Sequence, residues 1–234
     1  MNTTEKIARF SGFAYLANIL TGVFAQYVRS TLIVPGDAAA TAGNIMASEL
    51  LFRLGFMSDL IMVAAYLMMG LFFYMLLRPV NQNVALLMLM LNLAGVPMLG
   101  INTLNEFAPL LLLNGASYLQ AFPAAQLQAL VMFFLDLQDY GYLIAAISYG
   151  AYLLPLGYLV FKSGYLPRLL GVLLMIASFG QMIPLFQMSL LPGYDVITYP
   201  GLGVAVLAEF SFCLWLLIKG AQMPAAKLER ALAV

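Results

Sequence analysis

The hydrophobic pattern of this chain constrains its fold more than any other feature. Six stretches of about 20 residues or more carry few or no charges, and a helix of this length crosses a hydrocarbon core of about 30 Å. They are residues 10–33, 47–78, 84–112, 126–161, 166–190 and 200–218. With 64% hydrophobic and 9% charged residues, the chain has too much apolar surface for a water-soluble fold. We therefore predict an all-α polytopic membrane protein, in which residues 1–234 form a single six-helix transmembrane domain.

The basic residues are separated from the acidic ones by the predicted spans. Six crossings place both termini and the turns at 79–83 and 162–168 on one side of the membrane. Eight of the ten Lys and Arg residues fall on that side, namely Lys6, Arg9, Arg78, Lys162, Arg168, Lys219, Lys227 and Arg230. Because short loops rich in Lys and Arg remain in the cytoplasm, we expect cytoplasmic N- and C-termini and a location in the cell (inner) membrane.

The opposite side is predicted to be acidic. Its acids are Asp37, Glu49, Asp59, Glu106, Asp136, Asp139 and Asp195, and they outnumber Arg29 and Arg53 by seven to two, a net charge of minus five. A mouth of one sign attracts ions of the other, so this side favours cations. Asp37, which precedes Ala38-Ala39-Ala40, is predicted to cap the start of a helix.

Glu209 differs from these acids in its depth. It lies ten residues before Lys219, which places it about 15 Å inside the membrane at 1.5 Å per residue. An ionisable group at that depth marks a candidate functional site. A protonated Glu bonded to an Asn or Gln of a neighbouring helix is an equally good interpretation. Polar residues at similar depth on the other spans are Asn18, Tyr66, Asn92, Ser148 and Gln181.

Two groups of polar residues share helix faces, because their members are three or four positions apart. One comprises Asp136, Asp139 and Tyr140, and the other comprises Asn102, Asn105 and Glu106. Facing each other, they would supply oxygen ligands for Ca²⁺, Mg²⁺ or Mn²⁺, or a coupled pair of carboxyl groups. Ordinary solvated charges at helix ends explain the same spacing, so no metal is assigned.

Arg53 follows Glu49 by four residues, which is the spacing of a helical ion pair. Contact with Asp136 or Asp139 across the bundle is an equally good interpretation, and a structural role for Arg53 is favoured over anion binding. The chain contains no His and a single Cys, Cys213. Histidine-held metals, Ser-His catalysis and intrachain disulfides are therefore excluded. We predict no cofactor and no nucleic-acid partner.

Several short strings together resemble one known family. They include Leu51-Phe52-Arg53, Leu77-Arg78-Pro79-Val80-Asn81, Phe134-Leu135-Asp136-Leu137-Gln138-Asp139-Tyr140-Gly141 and Gly164-Tyr165-Leu166-Pro167-Arg168. The chain is similar in these strings to the bacterial membrane family called domain of unknown function 4386. The resemblance covers almost the whole chain and implies a multi-pass membrane protein, with no established activity to transfer.

Three functions fit these patterns. The first is binding or transport of a small cationic or polar ligand through an acidic, outward-facing pocket. Its candidate residues are Glu209, Asp139, Asp136, Glu106, Asn102, Asp59, Arg53, Asn18, Asn92 and Gln181. The second is an intramembrane enzyme that acts on a lipid or another membrane-embedded substrate, with Asp136, Asp139 or Glu106 as acid, base or metal ligand. The third is a structural or sensory protein that binds a partner. We favour the first, with the lipid bilayer and a small cation or polar molecule as partners.

Overall fold

The computed structural model describes residues 3–191 and 193–221. Within these ranges the chain is helical: α1 Thr3–Leu32, α2 Ala38–Ala47, α3 Glu49–Leu77, α4 Gln82–Leu113, α5 Ala124–Ala151, α6 Leu153–Ser163, α7 Arg168–Leu190 and α8 Thr198–Ile218. Short 3₁₀ helices lie at Ser117–Ala121 and Asp195–Ile197. Six segments are long and apolar enough to cross a membrane, which confirms the predicted six-span, all-α architecture. Lys227 and Arg230 of the predicted basic set lie outside the described residues.

The helix α2 adds one element to the predicted spans. Asp37 caps its first turn, since its Oδ1 atom accepts a hydrogen bond of 2.9 Å from the backbone N–H of Ala40. This confirms the predicted cap. The helix ends at Ala47, and α3 begins at Glu49.

The fourth predicted span, 126–161, consists of two helices. The interruption at Tyr152 separates α5 from α6 and lies three residues before Pro155. Proline has no backbone N–H and its ring crowds the carbonyl four positions earlier, which here belongs to Ala151. Pro97 and Pro109 lie within α4, and Pro184 lies within α7, without a comparable interruption.

The residues group into two compact units, which we describe separately. We call residues 17–64 and 97–142 the acidic unit, and residues 1–16, 65–96 and 143–234 the basic unit. The acidic unit has six carboxyl groups against two guanidinium groups, a net charge of minus four. The described part of the basic unit has six Lys and Arg residues against three acids, a net charge of plus three. Charge is therefore distributed unequally between the two units.

The acidic unit is held together by one apolar cluster. The buried members are Val28, Leu32, Ile45, Phe52, Leu110, Val131 and Leu135. Gly55 lets α3 approach α1 closely, because a Cβ atom at this position would lie 2.9 Å from Cγ1 of Val28. Burial of these side chains fixes the helices that carry the polar groups described below.

The basic unit combines an aromatic cluster with close helix packing. The ring of Tyr15 meets Phe73 and Phe212 edge-on, with centroids 5.6 and 6.4 Å apart. Between α7 and α8, a Cβ atom at Gly180 would lie 2.4 Å from the carbonyl oxygen of Gly201. Such glycines allow helix backbones in a membrane to pack directly against each other.

Candidate functional site

A buried arginine lies at the centre of the acidic unit. Arg29 of α1 donates hydrogen bonds from Nη1 to Oδ2 of Asp59 on α3 and, at 3.3 Å, to Oε1 of Glu106 on α4. The side chain of Asp59 is 0% exposed and that of Glu106 is 1% exposed. Three helices therefore bring three formal charges together out of contact with the surrounding medium.

Two further side chains complete this group. The hydroxyl of Tyr142 donates to Oδ1 of Asp59 at 2.8 Å, and its ring centroid lies 5.3 Å from the guanidinium carbon of Arg29. Gln26, one turn before Arg29, accepts from Nε at 3.4 Å and from Nη2 at 3.3 Å. Both oxygens of Asp59 thus have donors. We call Gln26, Arg29, Asp59, Glu106 and Tyr142 the Arg29 cluster.

The carboxyl group of Glu106 accepts fewer hydrogen bonds than that of Asp59. Its Oε1 atom receives the bond from Arg29, whereas Oε2 is buried and receives no hydrogen bond from a donor among the described residues. The carboxyl group of Asp59 is a close neighbour of Glu106. One guanidinium group also faces two carboxyl groups, which leaves one formal negative charge without a counter-charge when both acids are ionised. A buried polar atom without a partner is costly, so Oε2 of Glu106 is the position where a proton or a cation fits best.

The exposed acids of α5 are electrostatically linked to this cluster. Asp139 interacts with the positive charge of Arg29 and with the negative charge of Asp136. Both aspartates are exposed, in contrast to Asp59 and Glu106. Four of the seven acids that the sequence assigns to an outer mouth are therefore a buried pair, Asp59 and Glu106, and an exposed pair, Asp136 and Asp139.

Asn102 contributes to the packing between α4 and α5. Its Nδ2 donates to the carbonyl of Gln138 at 2.8 Å, and its Oδ1 accepts from Asn105 at 3.1 Å. Gly141 makes room for this amide, because a Cβ atom there would lie 1.9 Å from Oδ1 of Asn102. The contact fixes the helix that carries Glu106 against the helix that carries Asp139.

Arg53 lies in an exposed ion pair. Its Nε and Nη2 atoms lie 2.7 and 2.6 Å from Oε1 of Glu49, so the predicted i,i+4 pair with Glu49 is present. Arg53 is not a member of the Arg29 cluster. An open cleft of about 150 Å³ lies beside Glu49 and is also lined by Ile45, Met46, Leu110, Leu113 and Asn114.

Glu209 forms a separate polar site in the basic unit. Its Oε2 accepts from the hydroxyl of Tyr15 on α1, and its Oε1 accepts from Nε2 of Gln181 on α7, both at 2.8 Å. Of the amides predicted to surround Glu209, Gln181 is the one that binds it. In contrast to Glu106, both carboxyl oxygens of Glu209 have donors.

The remaining predicted amides bond to backbone. Asn92 lies in the basic unit and donates to the carbonyl of Tyr66 at 3.2 Å. Asn18 lies in the acidic unit and donates to the carbonyl of Met62 at 3.1 Å. Each links two helices through a main-chain oxygen. Asn18 and Asn92 thus donate to main-chain carbonyls, and Oδ1 of Asn92 is buried with no hydrogen-bond partner among the described residues.

Sequence reasoning missed the central residue of the cluster. The sequence pattern predicts an outer position for Arg29 without indicating a partner, and it does not distinguish Tyr15, Gln26 or Tyr142 from other polar residues. A signal was present, since an arginine inside an apolar span requires a carboxylate partner. That partner could not be identified, because Asp59 and Glu106 are 30 and 77 residues away along the chain.

The clustered acids are the candidate ligands for a metal ion. Within residues 3–191 and 193–221, no group of three or more His, Cys, Asp or Glu side chains is arranged to hold a metal ion. Asp59, Glu106 and Glu209 instead accept hydrogen bonds from Arg, Tyr and Gln side chains.

Comparisons with known proteins give consistent results. A family model described as domain of unknown function (DUF4386) matches residues 10–220. An uncharacterized protein of Archaeoglobus fulgidus is 33% identical over 154 residues, which cover 64% of this chain and 74% of the relative. No solved structure matches the chain.

Proposed function

Because this multi-pass membrane protein belongs to the family called domain of unknown function 4386, whose description assigns no activity, we propose a function from the Arg29 cluster itself. The protein binds a small cation at this cluster and transports it across the membrane. The observation that carries the proposal is the buried Oε2 of Glu106, which has no partner among the described residues.

The two carboxyl groups of the cluster have different roles. Asp59 receives donors on both oxygens, from Arg29 and Tyr142, and serves as the permanent counter-charge of the arginine. Glu106 receives a donor on one oxygen only. A cation at its second oxygen supplies the missing positive charge, and the attraction is strong because little water screens it. Glu106 is therefore the residue that binds and releases the ligand.

Burial restricts the size of the ligand. Glu106 is 1% exposed, so a proton, Na⁺, K⁺ or a primary amine of similar size fits the site better than a larger molecule. The exposed Asp136 and Asp139 raise the local concentration of cations next to the cluster. Arg29 disfavours divalent ions, because its own charge already balances one of the two carboxylates.

We further propose that both termini are cytoplasmic and that the protein resides in the cell membrane. Support comes from the eight of ten Lys and Arg residues that an even number of crossings places on one side. Six of the eight are described, and all six belong to the basic unit.

Thermal unfolding in detergent tests the binding step. Chlorides of Na⁺, K⁺ and methylammonium are compared with N-methylglucamine chloride at equal ionic strength. A ligand that binds the folded state alone raises its stability by about 2.7 kcal/mol at one hundred times Kd. We expect at least one probe, or a change of pH, to raise Tm in the unaltered protein. This response is lost in Glu106→Gln and retained in Glu49→Gln, which alters an exposed acid of the same unit.

Flux into sealed proteoliposomes tests transport. Uptake of the stabilising probe, or of protons reported by a trapped dye, is expected in the unaltered protein and in Glu49→Gln but not in Glu106→Gln. Equal Tm responses in Glu106→Gln and in the unaltered protein would contradict the assignment of the site. Binding without flux would contradict transport and leave the binding site intact.

A further inference from the structure

A second candidate site lies in the basic unit, where an open cleft of about 760 Å³ borders the start of α1. It is lined by Lys6, Arg9, Phe10, Phe13 and Leu217. Lys6, Phe10 and Phe13 are spaced by four and three residues, so they share one face of the helix. Phe10 is 57% exposed and Phe13 is 67% exposed. The cleft thus presents two cationic groups next to a bare aromatic surface.

The walls of this cleft are held in place by close packing. A Cβ atom at Gly12 would lie 2.9 Å from Cγ of Leu217, so α1 and α8 pack directly against each other here. The thiol of Cys213 donates to the carbonyl of Gly12 at 3.4 Å. The ring of Phe10 stacks on Phe72 with centroids 6.0 Å apart. The cleft is therefore a feature of the packed helices.

The charges at the cleft are not balanced. Arg9 forms an exposed ion pair of 3.1 Å with Glu5, whereas Lys6 forms no ion pair with any described residue. Glu5, Lys6 and Arg9 together carry one net positive charge. An anion at the cleft would meet Lys6 directly and would share Arg9 with Glu5.

The length of α1 indicates the depth at which the residues of the cleft lie in the membrane. The first span covers Thr4–Leu32, 29 residues, or about 44 Å at 1.5 Å per residue, which exceeds a hydrocarbon core of about 30 Å. The excess places Lys6 and Arg9 near the level of the lipid headgroups. Phe10 and Phe13, one and two turns further along, lie at the boundary of the acyl chains. Aromatic and basic residues are typical of this zone.

We propose that this cleft is a binding site for an anionic phospholipid. Lys6 and Arg9 hold the phosphate of the headgroup, and Phe10, Phe13 and Leu217 contact the upper part of an acyl chain. The charge of the cleft selects a lipid with net negative charge over a zwitterionic one, because the trimethylammonium group of phosphatidylcholine cancels its phosphate. The proposal is independent of cation binding at Glu106.

A tryptophan within the cleft reports the bound lipid. Replacing the single tryptophan, Trp215→Phe, and introducing Phe13→Trp gives a protein with one fluorophore at the site. The protein is reconstituted in vesicles that contain either brominated phosphatidylglycerol or brominated phosphatidylcholine among unlabelled phosphatidylcholine. We expect an apparent preference for the anionic lipid of about tenfold, and a decrease as salt is raised. Inorganic phosphate in place of the lipid is expected to leave the fluorescence unchanged.

Charge-matched variants test whether the cleft is responsible for the preference for anionic lipid. The pair Lys6→Gln and Arg9→Gln is expected to abolish the preference. The pair Arg78→Gln and Lys162→Gln removes two exposed charges of the same unit and is expected to leave the preference intact. Native mass spectrometry of the chain with its natural Trp215 and Phe13 repeats the comparison without the reporter. The proposal is overturned if both lipids quench the tryptophan equally, or if the two variant pairs lose the preference for anionic lipid to the same extent.

Discussion

Two glutamates of this protein, the buried Glu106 and the half-buried Glu209, differ in the contacts of their oxygens. Glu209 accepts from Tyr15 on one oxygen and from Gln181 on the other, so its hydrogen bonds join α1, α7 and α8. Glu106 accepts from Arg29 on one oxygen, while the other has no partner among the described residues. Depth along the helix singles out Glu209 as the exceptional acid. The hydrogen bonds single out Glu106 instead, because its Oε2 atom accepts no hydrogen bond from the described residues.

The first prediction at the scale of single residues concerns Arg29. Arg29→Met leaves Asp59 and Glu106 buried without a counter-charge, and loss of one partner from a buried pair costs about 3–5 kcal/mol. Arg53→Met removes an exposed pair with Glu49 and is expected to cost less than about 1 kcal/mol. Denaturant unfolding in mixed micelles measures both. Addition of Asp59→Asn to Arg29→Met should recover part of the loss, and similar losses in Arg29→Met and Arg53→Met would contradict the cluster.

At the scale of helices, stability in the basic unit depends on small residues at points of close approach. Gly157 meets Gly171 between α6 and α7, where a Cβ atom at Gly157 would lie 2.6 Å from the carbonyl of Gly171. Gly180 meets Gly201 between α7 and α8 in the same way. Apolar side chains gain little from contact with each other in lipid, so direct backbone packing becomes important.

The Gly180 contact can be tested with a matched glycine. Gly180→Val inserts a branched side chain where a Cβ atom would lie 2.4 Å from a backbone oxygen, and overpacking of this kind costs about 1–3 kcal/mol. Gly203→Val makes the same substitution in α8, where nothing lies within 4 Å of the new Cβ atom. Thermal unfolding should therefore show a lower Tm for Gly180→Val than for Gly203→Val. Equal Tm values would show that the close approach does not limit packing.

Element boundaries follow from the sequence where local chemistry determines them. The Asp37 cap of α2 is an example, because its side chain bonds to a backbone N–H only three residues ahead. The interruption at Tyr152 is different. The hydrophobic run continues through it, and hydropathy alone does not mark the position at which α5 ends and α6 begins.

For the whole molecule, the charge pattern leads to a prediction of orientation. The natural chain contains one cysteine, the buried Cys213, so Cys213→Ser gives a background for single-cysteine labelling. Gln120→Cys lies in the connection between α4 and α5, and Gln82→Cys lies at the start of α4. If the termini are cytoplasmic, an impermeant maleimide labels Gln120→Cys in intact cells and labels Gln82→Cys only after lysis. Labelling of Gln82→Cys in intact cells, with labelling of Gln120→Cys only after lysis, would contradict the proposed topology.

The sequence by itself determined the membrane class and the six spans, and it predicts the separation of basic from acidic residues across the membrane. Each of these depends on local composition and on residue counts along a helix, which require no knowledge of neighbouring helices. Only the tertiary structure decided that Asp59 and Glu106 share Arg29, that Asn18 and Asn92 bond to backbone carbonyls, and that Arg53 stays with Glu49. The rotation of a helix about its axis is set by packing against residues distant in the chain. That rotation determines which polar side chains meet.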